Sequence, residues 1–352
     1  MGFDFENLSA ALSRYQKTEK HGGWPLVPSG PKLELGMNDP RVGTVRMYLL
    51  LTGDLPKNKT QDENYFDETL KNAVSLFQTR HGLLEDGIIG ATTVKAMQVP
   101  LEIRMQQLKA NIAREQEMKQ PEDPAYILIN IPAFELYLFE QGQRVMEMRT
   151  VVGRANWETP LFEAKITGIL LNPSWNVPSS IVKKEILRKI KKDPDYLSAE
   201  EIQTFKKEGE EWKELDPKTI DWAERGLNLN PFKFQQKPGP KNALGRIKFI
   251  MPNTFDIYLH DTPSREFFKQ PQRGLSHGCI RVEKPVDLAL HLLKDLPQWN
   301  RAKIHKAIDD GKEIMISLPE GFPMYLTYTT AWIDKDHQLH FREDIYKKDG
   351  ES

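Results

Sequence analysis

The sequence predicts an α+β protein in which a small three-helix domain precedes a mostly-β domain with a helical insertion. Three observations predict this class. Apolar residues recur at helical spacing within residues 39–98, whereas from residue 126 to 171 they follow a period of two. A charged block with helical periodicity, at about 181–225, then separates these strands from later ones. The 352 residues suffice for two or three domains.

The composition is that of an ordinary globular protein, with 39% hydrophobic and 28% charged residues. The formal net charge is −1, so the global charge gives no reason to expect a nucleic-acid partner. The sequence has no run of eighteen apolar residues, which argues against a transmembrane helix. Met1–Phe5 is acidic and polar, unlike a signal peptide, and by itself would indicate the cytoplasm.

Helical periodicity divides the N-terminal part into segments. Apolar residues recur at helical spacing from Leu8 to Lys20, and again in a helix that Pro100 opens. Between these lie three short helices, the third of which follows the turn-rich string Asp86–Gly90. Pro121–Pro124 marks the next boundary. The predicted organisation is an N-terminal helical segment at 1–38, a helical domain at 39–98, a linker helix at 99–124 and a larger domain at 125–346.

The larger domain alternates strands with helical parts. Its predicted strands, rich in Ile, Val, Leu and Tyr, are 126–131, 134–139, 145–152, 164–171, 246–251, 255–260, 314–318 and 324–328. Within the insertion, Val182, Ile186 and Ile190 lie on one helical face, with basic residues around them. That basic run favours an anionic glycan or a membrane surface, or is a solvated face. A loop at 261–275 follows the sixth strand, and an amphipathic helix is predicted at 285–296.

The only cysteine, Cys279, lies in the string Ser276-His277-Gly278-Cys279-Ile280-Arg281. A lone cysteine cannot form an intramolecular disulfide, and in a chain with suitable histidines it is a candidate nucleophile. The alternative is a buried structural cysteine. The reactive form is the thiolate, which needs a base or a positive neighbour, so we expect a lowered thiol pKa. Gly278 would let the backbone turn tightly and bring N–H groups toward a reacting carbonyl oxygen.

Two histidines compete for the role of base. His277 is two residues from Cys279, and in an extended loop the two side chains would point the same way. His260 lies 19 positions before the cysteine, at the end of a predicted strand. Asp261 is adjacent to His260, but neighbours on a strand face opposite sides, so we expect a backbone carbonyl to fix the His260 tautomer. These histidines and the cysteine lack the spacing of a zinc site, so no metal is predicted.

His260 with the string Ser276–Arg281 resembles the signature of the L,D-transpeptidases, which are cysteine enzymes of the bacterial cell wall. The flanking segments resemble the large, multi-domain Gram-negative branch of that family, and they are Asn172–Pro178, Pro238–Gly245, Tyr258–Pro263 and the tail from Tyr325 to Tyr346. Within 39–98, Phe77-Gln78, Gly82-Leu83 and Asp86–Thr93 resemble a small helical peptidoglycan-binding module. The resemblance runs from about Ser9 to Tyr346.

The resemblance implies roles for particular residues. Cys279 becomes the nucleophile, His260 the base, and the backbone N–H groups of Gly278 and Cys279, helped by Tyr258, the oxyanion hole. Substrate-binding positions are implied at Ser276, His277, Arg281, Trp175 and Asn242. Alternatives stay open for some of them: Tyr258, Trp175 and Asn242 could be packing residues, and Arg281 could hold the loop rather than pair with a substrate carboxylate. The insertion at about 181–225 would be a cap over the site.

The implied function is formation of 3→3 peptidoglycan cross-links through a Cys279 thioester, with release of D-alanine from a tetrapeptide stem. The implied partners are a donor stem peptide, an acceptor amine and, as inhibitors, carbapenems; no cofactor is implied. The implied location is the periplasm, with the signal peptide or anchor absent from this sequence. Alternatives are an L,D-carboxypeptidase, a lipoprotein-anchoring relative and a non-catalytic wall-binding protein. Residues 39–98 would bind glycan, only position substrate, or be a plain helical bundle.

Overall fold

A computed structural model describes residues 5–57, 62–118, 121–222 and 228–350. The chain forms two compact units. The first unit comprises residues 1–122, 130–134 and 327–352, and the second comprises residues 123–129 and 135–326. The predicted segments also include residues 1–4, 58–61, 119–120 and 223–227, which lie outside the described residues.

The helices of the first unit are α1 (Phe5–Lys20), α2 (Arg41–Thr52), α3 (Glu68–Arg80), α4 (Ala91–Met97) and α5 (Leu101–Glu117). Asp67 caps α3 by accepting a hydrogen bond from the backbone N–H of Leu70. Gly53 ends α2 with a φ of 86°, a left-handed conformation that suits glycine. Helices α2 to α4 match the three short helices predicted from the sequence. Within the described residues, no helix is long and apolar enough to cross a membrane.

The second unit is built on a mixed sheet. In chain order its strands, including those of the insertion, are β1 (Ala125–Asn130), β2 (Glu135–Glu140), β3 (Gln143–Gly153), β4 (Glu163–Leu171), β5 (Trp175–Asn176), β6 (Ile202–Glu208), β7 (Glu211–Leu215), β8 (Phe232–Gln236), β9 (Ile247–Ile250), β10 (Leu259–His260), β11 (Gly274–Ser276), β12 (Ile280–Val282) and β13 (Ile314–Thr327). The main sheet has the order β11-β3-β12-β10-β9-β4-β13-β1-β2, and β2 also pairs with β3. This second pairing closes the sheet into a ring.

The helices of the second unit are α6 (Ser179–Ile181), α7 (Leu187–Lys192), α8 (Tyr196–Ala199), α9 (Pro285–Leu292) and α10 (Arg301–Asp309). A π-helical turn, Val182–Ile186, joins α6 to α7. Short 3₁₀ turns lie at Pro217–Thr219 and Arg265–Lys269. Helix α9 ends earlier than predicted, and α10 was not predicted.

Two strand predictions need correction. The strand expected at 255–260 is reduced to β10, because Asp256 has a φ of 56° and the Asn253 side chain accepts hydrogen bonds from the N–H groups of Phe255 and Ile257. The strands expected at 314–318 and 324–328 form the single strand β13, whose register shifts between Ser317 and Phe322.

The insertion is not the purely helical block that the sequence suggested. After α8 the chain forms a hairpin of β6 and β7, which turns at Gly209 with a φ of 64°. Strands β5 and β8 join this hairpin in a sheet of order β5-β8-β6-β7. We call residues 175–236 the cap. Its apolar core includes Val182, Ile186 and Ile190, as the helical pattern predicted.

The C-terminal tail completes the core of the first unit, whereas the sequence had placed it in the domain at 125–346. β14 (Ala331–Ile333) and β15 (Leu339–Phe341) pair as a hairpin. Phe341 is 1% exposed, and its ring centroid lies 6.2 Å from that of Tyr15 on α1. Arg80 on α3 pairs with Asp54 at 2.6 Å and donates a hydrogen bond to the carbonyl of Leu339. The tail is therefore part of the first unit, which we call the helical unit.

Candidate active site

The candidate nucleophile and base lie on adjacent strands. Strands β10 and β12 run parallel, and their register places His260 opposite Arg281. The N–H of Ile280 donates to the carbonyl of Tyr258 at 3.0 Å, which places Tyr258 beside Cys279. Residues in register present their side chains to the same side of a sheet, and alternate residues share a side. Tyr258, His260, Cys279 and Arg281 therefore share one face.

Cys279 is partly buried just before β12. Its Sγ lies 4.0 Å from the carbonyl oxygen of Asp256, and both the backbone and the hydroxyl of Tyr258 hydrogen-bond to it. Burial raises the pKa of the Cys279 thiol, although Tyr258, Lys248 and Arg281 act in the opposite direction. The lowered thiol pKa expected from the sequence is therefore wrong for the resting site, because the loss of hydration outweighs the favourable contacts.

His260 is 4% exposed, and its Nδ1 lies 2.5 Å from the carbonyl oxygen of Asp261. A carbonyl only accepts, so Nδ1 carries the proton and Nε2 carries the lone pair. Burial first, and then the charges of Arg281 and Lys248, lower the pKa of His260 to about 3, while hydrogen bonds to the backbone of Asp261 and Leu244 oppose them. The imidazole is thus neutral at pH 7 and able to accept a proton.

The group that orients His260 is a backbone carbonyl, as the strand geometry predicted, and it belongs to Asp261. The carboxylate of Asp261 is engaged elsewhere. It accepts a hydrogen bond from the backbone N–H of Arg246 at 2.9 Å and pairs with Arg265 at 3.1 Å. Asp261 therefore positions the base through its main chain and not through its side chain.

Tyr258 links the thiol to the cap. Its hydroxyl hydrogen-bonds to Cys279 and to Trp175, the first residue of β5. Burial is the main cause that raises the pKa of Tyr258, so the hydroxyl stays protonated and can donate. Its ring centroid lies 5.7 Å from that of His260, and Lys248 Nζ lies 3.9 Å from the Tyr258 ring centroid. Tyr258 therefore contacts the thiol directly, whereas Trp175 contacts the Tyr258 hydroxyl.

Residues 276–279, which we call the nucleophile loop, are held by hydrogen bonds to one another. The Ser276 hydroxyl donates to the carbonyl of Cys279 at 2.5 Å and accepts from the Gly278 N–H at 3.1 Å. Gly278 has a φ of 111°, and a Cβ added there would lie 3.0 Å from a side-chain atom of Ile257. Glycine is needed for the shape of this loop. The oxyanion role predicted for the Gly278 N–H and the substrate contact predicted for Ser276 do not fit this geometry, because the two groups bind each other.

His277 faces the cap. Its Nε2 lies 2.6 Å from the carboxylate of Glu185 in the π-helical turn and 3.0 Å from Arg154. Arg154 also pairs with Glu185 at 2.9 Å, and the Trp157 ring meets His277 edge-on at 5.0 Å. His277 is therefore a contact between the nucleophile loop and the cap, and the structure gives it neither the base role nor a direct place at the thiol.

A cavity of about 570 Å³ lies beside this contact. It is lined by Arg154, Lys183, Lys184, Glu185, Leu187, Arg188 and Lys191. Lys184 Nζ also lies 4.1 Å from the ring centroid of Trp157. The basic run of the sequence thus lines a concave surface next to the nucleophile loop, and an anionic group would be attracted there.

Asn242 packs inside the protein. It is fully buried, and its amide nitrogen donates to the carbonyls of Pro173 and Lys237 at 3.0 and 2.9 Å. Its side-chain oxygen accepts from the N–H of Leu244 at 2.8 Å. The sequence left open whether Asn242 binds substrate or packs in the core. The structure favours packing, because the Asn242 amide hydrogen-bonds to backbone groups, including those of the loop before β9.

Arg281 is available for a further partner. Its guanidinium lies 5.5 Å from the centroid of the Phe267 ring. Among the described residues, its buried Nε has no hydrogen-bond partner. A buried donor without a partner is costly and unusual, so a ligand acceptor at this position would be favourable.

Sequence reasoning missed two residues of the site, Lys248 and Glu185. Lys248 lies between the buried residues Ile247 and Phe249, so period-two alternation indicated its face, but its place opposite His260 depends on strand register. Nothing in the sequence linked Glu185 to His277. Within the described part of the chain, no group of three or more His, Cys, Asp or Glu side chains could hold a metal ion.

Two parts of the chain match known protein families. Residues 124–304 match the YkuD family, described as the L,D-transpeptidase catalytic domain, and residues 38–97 match a "Putative peptidoglycan binding domain". A Haemophilus influenzae "Putative L,D-transpeptidase" is 35% identical over 223 residues, or 63% of this chain. This chain spans only 44% of that relative's length. The resemblance stated from the motifs, and the α+β class, are confirmed.

Solved structures with similarity to this chain include two transpeptidases. An L,D-transpeptidase from Xylanimonas cellulosilytica shares 14% identity with a TM-score of 0.27, over 85% of this chain and 99% of that chain. An LD transpeptidase in complex with imipenem shares 13% identity with a TM-score of 0.28, over 58% of this chain and 59% of that chain.

Proposed function

Since the chain belongs to the YkuD family of L,D-transpeptidase catalytic domains, we propose that it is a cysteine transpeptidase that cross-links the peptide stems of peptidoglycan. One observation carries the proposal. The only thiol of the chain lies on the same sheet face as a neutral, carbonyl-oriented imidazole and a tyrosine hydroxyl. A nucleophile, a base and a donor are the three groups that acyl transfer requires.

In the first step the Cys279 thiol gives its proton to Nε2 of His260, and the sulfur attacks the carbonyl carbon of the third stem residue, at the L-centre of a diamino acid. The negative charge moves to the carbonyl oxygen. The Tyr258 hydroxyl and the Cys279 N–H are the donors that we assign to it. Collapse of this intermediate breaks the peptide bond, and the imidazolium of His260 protonates the departing D-alanine amine. A thioester on Cys279 remains.

In the second step the side-chain amine of another stem attacks the thioester. His260 removes the proton of the amine, the C–S bond breaks, and a 3→3 cross-link is released with the thiol restored. Attack by water at the same carbon would give a tripeptide instead. We assign to the cap the role of limiting the access of water, because its Trp175 hydrogen-bonds to Tyr258 and its Glu185 contacts the nucleophile loop.

Arg281 is the residue that we assign to a stem carboxylate. Its charge lies on the face of the thiol, and its unpartnered Nε offers a hydrogen bond to an anionic acceptor. We propose that residues 38–97 bind peptidoglycan, in line with the family that they match. Since peptidoglycan lies outside the cytoplasmic membrane, we propose the periplasm as the place of action. Carbapenems should acylate Cys279, by analogy with the imipenem complex of a related enzyme.

The test is intact-mass analysis of the protein after incubation with purified tetrapeptide muropeptides, with mass analysis of the products. The expected results are a transient adduct on the intact chain and cross-linked dimers. In the variant Cys279→Ala, both should be absent while the unfolding temperature stays unchanged. Turnover by this folded variant would exclude the cysteine mechanism. Tripeptides without dimers would show a carboxypeptidase, transfer to a protein amine would show an anchoring enzyme, and binding without an adduct would show a wall-binding protein.

A further inference from the structure

Lys248 lies within the candidate site, next to the residues that the sequence singled out. On β9 it lies directly opposite His260, and His260 lies opposite Arg281 on β12. The three side chains therefore form a row across the face that carries the thiol. Lys248 Nζ is 3.9 Å from the centroid of the Tyr258 ring, and the hydroxyl of that ring hydrogen-bonds to Cys279. A single aromatic ring thus connects the ammonium to the sulfur.

The ammonium of Lys248 has no close counterion. The residue is partly buried, and within the described residues no carboxylate lies within ion-pair distance of it. Among the described residues, Glu313 is the carboxylate whose charge acts on Lys248, and it accepts hydrogen bonds from the backbone and hydroxyl of Ser174. Burial lowers the pKa of Lys248, and a charge on Cys279 is the first influence that raises it again. A partly buried cation without a partner gains from a nearby anion.

His260 cannot supply a positive charge in the resting enzyme. Burial is the main cause that lowers its pKa to about 3, so the imidazole is neutral at pH 7. The charges that favour the thiolate before proton transfer are therefore those of Lys248 and Arg281. This division leaves His260 free to act as the base. An imidazolium formed beforehand could not accept the thiol proton.

We propose that Lys248 is a positioning residue that directs a positive charge toward Cys279 Sγ across the Tyr258 ring and so favours the reactive thiolate. The inference rests on the proposed cysteine mechanism. In the step that it assists, the S–H proton passes to Nε2 of His260, and the sulfur electron pair forms the bond to the stem carbonyl carbon. Lys248 keeps its proton and forms no bond.

The competing interpretation is that Lys248 only fills space between β4 and β10. The experiment must also separate its charge from the other groups around the thiol. The groups that act on Cys279 directly are Tyr258, Lys248 and Arg281. The groups that act on these neighbours include Asp256, Glu266 and Glu313. Among the described residues, Lys248 and Arg281 are the cations that act on Cys279.

The test measures the rate of iodoacetamide alkylation against pH, which reports on Cys279 alone because the chain has no other thiol. Lys248→Met and Lys248→Gln should raise the midpoint of the profile by about one pH unit, which is roughly a tenfold slower reaction below both midpoints. Lys248→Arg should restore most of the rate. Lys165→Met, which removes an exposed lysine from β4, is the matched control and should leave the profile unchanged.

An unshifted midpoint in folded Lys248→Met and Lys248→Gln would overturn the inference. So would an Arg variant as impaired as the Met variant, because size and not charge would then matter. If both neutral variants fail to fold, added salt gives the second readout: wild type should lose thiolate reactivity as ionic strength rises, and no such loss would also reject the inference. Failure of the wild type to form a muropeptide adduct would instead reject the proposed function.

Discussion

At the level of single residues, the site combines a neutral thiol with a neutral base. Burial opposes both charged forms, raising the pKa of Cys279 and lowering that of His260. A preformed thiolate–imidazolium pair is therefore not the resting state. Proton transfer becomes favourable only when substrate is bound. The negative charge then forms on the substrate carbonyl oxygen, where hydrogen-bond donors stabilise it.

His260 should be the base, and His277 should not. His260→Ala should slow acylation of Cys279 by about 10²–10⁴-fold, because proton transfer from the thiol is lost. His277→Ala should slow it far less, since that imidazole binds Glu185 and Arg154. Single-turnover adduct formation followed by intact mass measures both. If His277→Ala abolished acylation in a folded protein while His260→Ala did not, the two roles would have to be exchanged.

The pH profile provides an independent check on His260. Its folded pKa of about 3 is depressed below the ordinary value of 6.5, so the neutral form persists until the pH falls toward 3. Acylation should therefore show no loss centred near pH 6.5. The unfolded chain binds this proton at higher pH than the folded chain does, so His260 also favours the folded state above pH 6.5, and this stabilisation declines as the pH falls from 6.5 toward 3. Stopped-flow acylation between pH 4 and 8 tests the first point, and urea unfolding over the same range tests the second.

The sequence predicted those site residues that lie in a short motif or share a strand, but not those brought together by pairing of separate strands. Cys279 follows from one string, Tyr258 follows from its strand parity with His260, and the choice of His260 over His277 follows from the family resemblance. Lys248 could not be found in this way, because it meets His260 only through the register of β9 with β10. Asn242 was ambiguous for a related reason: the backbone carbonyls that occupy its amide become close only after the loop before β9 has folded.

At the level of elements, the π-helical turn Val182–Ile186 is the feature that joins the cap to the nucleophile loop. A π turn places one extra residue in a helix and re-aims the side chains around it, and such turns often occur at functional sites. Here the turn contains Glu185, which contacts both His277 and Arg154. The cap is therefore connected to the loop by a charged contact at its surface.

Glu185→Gln should weaken this contact while keeping the size of the side chain. We expect acylation to change little, but the ratio of tripeptide to cross-linked dimer to rise by up to about tenfold, because loss of a charge-assisted hydrogen bond shifts an open–closed equilibrium by roughly 1–2 kcal/mol. Chromatography of the muropeptide products measures the ratio. Glu211→Gln on the cap hairpin is the matched control. An unchanged ratio would mean that the cap is a fixed part of the fold.

Predictions of helices and strands were accurate where a single periodicity of apolar residues extended through the whole segment. The apolar repeats of α1, α3 and α5 gave those helices directly. The cap hairpin of β6 and β7 was missed because half of its strand residues are Lys or Glu and few apolar residues alternate with them. Charge-rich strands with one solvent-facing side give little pattern in a sequence, and the basic helix beside them suggested continued helix.

At the level of the whole molecule, the helical unit contains both ends of the described chain. Apolar residues of α1 to α5 form one core with Ala331, Ile333, Leu339 and Phe341 of the tail. The sequence could not show this, because the tail resembles a closing part of the domain before it and contacts the helices only through long-range packing. The peptidoglycan-binding match at 38–97 therefore covers only part of this unit.

Phe341→Ala should lower the free energy of unfolding of the helical unit by about 3–5 kcal/mol, the usual cost of removing a buried aromatic ring. Phe341 is 1% exposed, and its ring centroid lies 5.7 Å from that of His81. The guanidinium carbon of Arg104 lies 4.6 Å from the same centroid. Chemical denaturation followed by far-UV circular dichroism measures the loss. Trp212→Ala, on the cap hairpin and 43% exposed, is the control and should change stability by less than about 0.5 kcal/mol. Equal losses in the two variants would contradict the assignment of the tail to the core.

The shared core of the tail and the helices has a consequence for synthesis of the chain. The ribosome completes α1 to α5 long before it reaches β14, so the nascent helical unit lacks Ile333 and Phe341 while nearly two hundred intervening residues, 135–326, are still being made. An incomplete apolar core exposed for that interval attracts chaperones and proteases. Synthesis of the tail, and not of the first helices, therefore sets the moment at which the helical unit can complete its core.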